Sequence, residues 1–183
     1  LVSTDRGAPR GRLAVTEPGR WAEDEWRDLI PEDPDAVLDG FAVLDGIELE
    51  EPVLVVARTR HGVSELTLHR ADDGALLDDI ELPGAGTIGG PMERIDGGPV
   101  AWFVYTDHTT VPHVYIYDGR TGAVTLDAAP PGTVEAPHVH SQLVTYRSSD
   151  GTEVRMFIVS PHATPDRPRP TVLYGYGGFG IPL

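Results

Sequence analysis

The chain of 183 residues contains no cysteine, two methionines, and only 14 lysines and arginines against 29 acidic residues. Without cysteine there is no disulfide framework, no thiolate nucleophile and no cysteine-ligated metal, a composition that fits a reducing, cytoplasmic compartment. The formal charge of −15 repels phosphate backbones and anionic headgroups, so neither nucleic acid nor a membrane is an expected partner. No run of about 18 apolar residues is present, which removes a membrane-spanning helix. Catalytic signatures are missing too. There is no G-x-S-x-G, and none of Ser3, Ser64, Ser141, Ser148, Ser149 and Ser160 lies on a glycine-flanked elbow. The G-x-G-x-x-G spacing of a dinucleotide loop and the Gly-Lys-Ser/Thr of a phosphate loop are absent around the terminal glycines, and no cofactor is expected.

What is present points to β-structure. Hydrophobic residues make up 40% of the chain, enough for a core, while 21 glycines and 17 prolines are spread along it as turns between short strands would require. The central region repeats itself. Leu66 to Leu76 matches Val114 to Val124 at an offset of 48, with Gly74-Ala75 and Gly122-Ala123 in the same columns. Val53 to Ala57 matches Val100 to Val104 at an offset of 47, and each is followed by a polar stretch containing a histidine, His61 or His108. Each copy holds an apolar run, a polar turn, an alternating strand, a glycine turn and another strand. That is the content of a four-stranded antiparallel blade at a propeller-like period. Arg12 to Thr16 and Trp21 to Trp26 read as the remains of a preceding copy. Residues 1–136 are therefore expected to form two to three blades of a β-propeller. A blade needs neighbours on both faces, so so few blades would leave apolar faces half covered.

After Pro130-Pro131-Gly132 the pattern changes. Ser141 to Arg147 and Glu153 to Val159 alternate as strands, and Ser148-Ser149-Asp150-Gly151-Thr152 between them is a hairpin signal. A proline-rich loop, His162 to Pro170, leads to the short apolar run Thr171 to Tyr174, which reads as a fully buried strand entering the glycine loop Gly177-Gly178-Phe179-Gly180. A domain boundary is expected near Pro137, with residues 137–183 opening a second domain. Because the chain starts at Leu1 and stops just past this loop, it reads as a piece of a longer protein.

Candidate site residues are few. A glycine loop after a buried strand lets backbone N–H groups approach a ligand, and in α/β-hydrolases the loop after the third strand donates to the oxyanion hole. Tyr174 and Tyr176 read, without further information, as core residues. His138 and His140 share a face of an extended segment but lack a third ligand of evident spacing, so no metal site is expected. His61 and His108 occupy matching repeat positions, as turn residues would. The pairs Glu50-Glu51, Asp72-Asp73 and Asp78-Asp79 read as solvated carboxylates in or beside turns.

Leu173-Tyr174-Gly175-Tyr176-Gly177-Gly178-Phe179, with Ser149 to Thr152, Val154 to Val159 and the proline-rich loop before it, closely resembles the start of the catalytic domain of prolyl oligopeptidases. Upstream, Thr4 to Pro9, Trp26 to Glu32 and His69 to Leu77 resemble the later blades of that family's seven-bladed propeller. The resemblance implies a cytosolic serine peptidase cleaving short peptides on the carboxyl side of proline, monomeric when complete, with the propeller capping an α/β-hydrolase domain. By the same resemblance Tyr176 matches the tyrosine whose hydroxyl stabilises the oxyanion, Phe179 matches an aromatic of the proline pocket, and Tyr174 is assigned packing only. The family's serine, acid and histidine fall downstream of Gly180, so the 183 residues alone are expected to be inactive. Two other readings remain open: a non-catalytic propeller serving as an interaction module, and an α/β-hydrolase relative of different specificity.

Overall fold

The computed structural model describes residues 1–132, 138–164 and 166–176, which hold β-strands and one 3-10 turn, Glu23–Glu25. The first sheet is three-stranded: β1 (Val2–Thr4), β2 (Arg12–Val15) and β3 (Arg27–Ile30). The second is four-stranded and antiparallel, with β4 (Ala36–Leu44), β5 (Val53–Arg60), β6 (Val63–Arg70) and β7 (Leu76–Ile80) in chain order. The third contains β8 (Thr87–Ile88), β9 (Met92–Glu93), β10 (Val100–Thr106), β11 (His113–Asp118) and β12 (Ala123–Ala128), with both β8 and β9 paired to β10. A separate hairpin joins β13 (His140–Arg147) to β14 (Glu153–Ser160).

The repeat read in the sequence is the repeat of the sheets. β5 corresponds to β10, β6 to β11 and β7 to β12, and the two short strands β8 and β9 together take the place of β4. The break between them falls at Gly89-Gly90-Pro91, where proline lacks the N–H that a continuous ladder would use. β4 has its own irregularity at the same level, a register shift between Leu38 and Gly40. Here the second and third sheets pass close to each other: a Cβ on Gly40 would lie 3.9 Å from the Gly90 Cα. Close approach along β4 and β9, with β7 and β12 at the far edges, is the wedge packing of propeller blades.

β5 explains how the layers hold. Successive side chains of a strand point to opposite faces, and Val53, Val55 and Ala57 pack into one cluster with Ala101, Phe103, Tyr105 and Tyr117 of the third sheet. Leu54 and Val56 face the other way, into a cluster with Leu13, Leu29 and Ile30 of the first sheet. Both faces being covered, the strand is an unbroken apolar run rather than an alternating one. Each large side chain so buried stabilises the fold by about 1.5–3 kcal/mol relative to exposure. At Gly74 the first sheet comes so near that a Cβ would collide with the Leu29 carbonyl oxygen, and φ there is +75°. Only glycine fits both demands.

Polar groups fasten the edges. Arg60 reaches Asp33 at 2.8 Å and Glu65 at 2.8 Å, tying the segment before β4 to the β5–β6 hairpin. The hydrogen bond from Arg60, helped by the Asp35 N–H, holds the Asp33 carboxyl at about 2. His69 is buried in β6, its Nδ1 2.9 Å from the Gly74 carbonyl and its Nε2 2.9 Å from the Thr67 hydroxyl. Burial lowers its pKa below the ordinary histidine value.

Within the first sheet, read as the remains of a preceding copy, Trp21 to Trp26 carries the 3-10 turn and the strand pairing with β2 is Arg27–Ile30. Two sequence expectations change here. Asp78 and Asp79 lie within β7 rather than at a turn, where carboxylates on an outer strand discourage further pairing. The run Thr171 to Tyr174 forms no strand and is exposed, Val172 to 91% and Tyr174 to 79%. A short apolar run becomes a buried strand only beside partner strands, and among the described residues none pairs with it.

Candidate functional site

The predicted site lies on the segment after β14. Residues 166–176 form no strand or helix and are held locally by Arg169 on Asp166 at 2.8 Å and by the Thr171 hydroxyl donating to the Arg169 carbonyl at 3.1 Å. Tyr176 is 54% exposed, not a core residue, and neither it nor Tyr174 packs as the residue-level reading expected. Phe179 and the glycine loop Gly177 to Gly180 lie outside the described residues, as does Pro137 at the expected boundary. Tyr176 is thus not hydrogen-bonded to any acid, base or nucleophile among the described residues.

The hairpin before this segment is formed as expected. Cross-strand pairs run from His140 opposite Ser160 to Arg147 opposite Glu153. The turn is closed by the Ser148 N–H on the Thr152 carbonyl and the Gly151 N–H on the Ser148 carbonyl, each 2.9 Å, with Asp150 accepting from the Thr152 N–H at 3.0 Å. At its open end the His138 and His140 rings lie 5.3 Å apart, and no group of three metal-binding side chains occurs among the described residues.

A cleft of about 330 Å³ opens where this hairpin meets the second and third sheets, lined by residues including Gly62, Gly86, Thr87, Asp107, His108 and Phe157. Its walls are turns. His61 and Gly62, both with positive φ at 56° and 82°, make the two-residue connection from β5 to β6. His108 sits in the connection from β10 to β11, so both repeat histidines are turn residues. Asp107 organises the second turn by accepting from the Tyr105 hydroxyl at 2.6 Å, the Thr109 N–H at 2.7 Å and the Thr109 hydroxyl at 2.8 Å. Burial works to raise the Asp107 pKa, but the hydrogen bonds from Tyr105 and Thr109 outweigh it and hold the carboxyl at about 2. Burial, and then the Asp107 carboxylate, push the Tyr105 hydroxyl well up. Gly86 passes so close over the Tyr105 ring that a Cβ there would come within 2.8 Å of it. Sequence reading missed this network. Its one signal was parity: Tyr105 falls in phase with the buried Ala101 and Phe103, and an inward tyrosine needs a partner for its hydroxyl.

A family model described as the N-terminal β-propeller domain of prolyl oligopeptidase matches residues 1–129. The chain belongs to the prolyl oligopeptidase family. The prolyl endopeptidase of Elizabethkingia miricola is 27% identical over 187 residues, covering 100% of this chain and 25% of that protein. That of Elizabethkingia meningoseptica is 28% identical over 186 residues, covering 98% of this chain and 24% of that protein. The chain therefore spans about a quarter of the length of the curated relatives it matches. A solved structure from a mechanistic study of two prolyl endopeptidases, concerned with inter-domain dynamics in catalysis and specificity, superposes with a TM-score of 0.71 at 29% identity, over 86% of this chain and 22% of that one. Membership in this family agrees with the mainly β architecture and its stacked sheets. Among the described residues no helix is long and apolar enough to cross a membrane.

Proposed function

We propose that these residues supply later blades of the propeller, residues 1–136, and the opening strands of an α/β-hydrolase domain, residues 137–183, of a cytoplasmic serine-type oligopeptidase that cleaves short peptides after proline. The observation that carries this is the alignment with prolyl endopeptidases along the whole chain, through both the repeat region and the Tyr-Gly-Tyr-Gly-Gly-Phe segment. In this reading the exposed Thr171 to Tyr174 run is a sheet strand whose partners come from elsewhere in the intact protein, and that is why so apolar a run stands in solvent here. Short proline-containing peptides are the substrates.

Tyr176 has the chemistry for its proposed part. A phenol O–H is a neutral donor, and in a water-poor cleft it stabilises charge that develops on the carbonyl oxygen only during reaction. Phe179 offers an aromatic face to a proline ring. Neither is a nucleophile, and attack on a peptide needs a nucleophile and base acting together, so the 183 residues alone are inactive and the serine, acid and histidine belong to the rest of the enzyme.

The test is hydrolysis of a proline-containing chromogenic peptide by the intact protein and by its Tyr176→Phe variant. The variant is expected to lose roughly a hundredfold in kcat, about 3 kcal/mol, with little change in KM. Unaltered turnover would remove Tyr176 from the oxyanion role, and absence of cleavage by the intact protein would remove the peptidase reading. The isolated 183-residue chain should give no serine-inhibitor-sensitive hydrolysis in the same assay.

A further inference from the structure

The β13–β14 hairpin is apolar on both faces. Leu143, Phe157 and Val159 share one, while Val144, Tyr146, Val154, Met156 and Ile158 share the other. Leu143, Tyr146, Ile158 and Val159 are exposed, while Val144, Val154, Met156 and Phe157 are half-buried. What Phe157 meets is a notch between two successive blades. Its ring meets the His108 ring edge-on, with centroids 4.8 Å apart. Gly62 is its neighbour in the adjoining blade: a Cβ there would lie 3.8 Å from the Phe157 ring, at van der Waals contact. Both walls are fixed: Gly62 by the tight β5–β6 turn, and His108 by the Asp107 network, which is anchored in the core through Tyr105.

We propose that Phe157 is the docking residue that seats the hairpin on the propeller, gripped between the Gly62 turn of one blade and the His108 turn of the next. A lone two-stranded hairpin is marginal in water, so the order of β13 and β14 depends on this contact. Straddling two blades, the ring also fixes the hairpin's position relative to both. A further consequence rests on the peptidase reading above: as the hairpin begins the hydrolase part, Phe157 acts as a positioning residue that sets that part on the propeller.

Amide hydrogen exchange on the 183-residue chain tests the docking without reference to catalysis. Phe157→Ala should speed exchange of the β13 and β14 amides roughly three- to tenfold, the range expected for one aromatic contact, and leave β5 and β10 unchanged. His108→Ala changes an exposed turn residue and should act in the same direction. The double variant should exchange no faster than Phe157→Ala, since both side chains act through one contact, and Phe157→Tyr should restore protection. Equal hairpin protection in the wild type and both single variants, or effects that simply add, would overturn the proposal. If the intact protein cleaves no proline peptide while the exchange result stands, the function has failed and the docking has not.

Discussion

The second and third sheets are two copies of one pattern placed in different surroundings. In β5 the side chains facing the next blade, Val53, Val55 and Ala57, are buried against the third sheet. Their counterparts in β10, Val100, Trp102 and Val104, are only half-buried. Gly74 and Gly122 hold the same column of the repeat, and both take positive φ, 75° and 70°. Each N–H closes the same kind of turn, onto the carbonyl of Arg70 at 3.0 Å or Asp118 at 2.8 Å. Yet a Cβ on Gly74 would strike the Leu29 carbonyl, and one on Gly122 would meet nothing within 4 Å. Local sequence sets the turn. The neighbouring blade decides whether the space beside it is full.

The largest expected difference is at those glycines. Gly74→Ala must adopt left-handed backbone and displace the first sheet, for a combined cost of about 3 kcal/mol or more. Gly122→Ala carries only the backbone part, about 1 kcal/mol. Urea unfolding of the two variants measures this, and equal midpoints would mean that the first sheet does not press on Gly74. Next comes Val55→Ala, which removes two fully buried methyl groups and should cost about 2 kcal/mol. Val104→Ala, on the corresponding half-covered face of β10, should cost less than about 1 kcal/mol. The intact protein sharpens this second pair: a further blade laid on β10 should raise the cost of Val104→Ala towards that of Val55→Ala.

The smallest effect is a pH dependence confined to one copy. His69 and Tyr117 share a repeat position and both are buried, but only histidine titrates near neutrality. The folded pKa of His69 is depressed by burial, so the unfolded chain binds its proton more readily. Its contribution to stability is complete above the ordinary histidine pKa and is lost as pH falls through the depressed folded value. Urea midpoints taken between about pH 7 and about pH 5 should fall for the wild type and fall less for His69→Gln. Parallel slopes would show that His69 is not the titrating group.

Much of this was legible because it is local or periodic. The alternation of β13 and β14, the Asp150-Gly151 turn and the repeat offsets lie in residue order, and short-range sterics with hydrogen bonding enforce them. Thr171 to Tyr174 stands exposed in this chain because an apolar run encodes a demand for cover, not its supply. The Asp107 network escaped because its donors, Tyr105 and Thr109, become partners only when the β10–β11 turn folds back on itself. Phe157 read as one more apolar residue of a strand.

The sequence by itself determined the repeated strands β5 to β7 and β10 to β12, the β13–β14 hairpin and its turn, since these depend on side-chain period and on which residues tolerate a turn, and it carried the family resemblance in its motifs. Only the tertiary structure decided which repeat copy is covered on both faces, which glycine is pressed by a neighbour, and that Phe157 lodges between Gly62 and His108. Those depend on surfaces far apart in the chain meeting in space, and burial is a property of the meeting rather than of either strand.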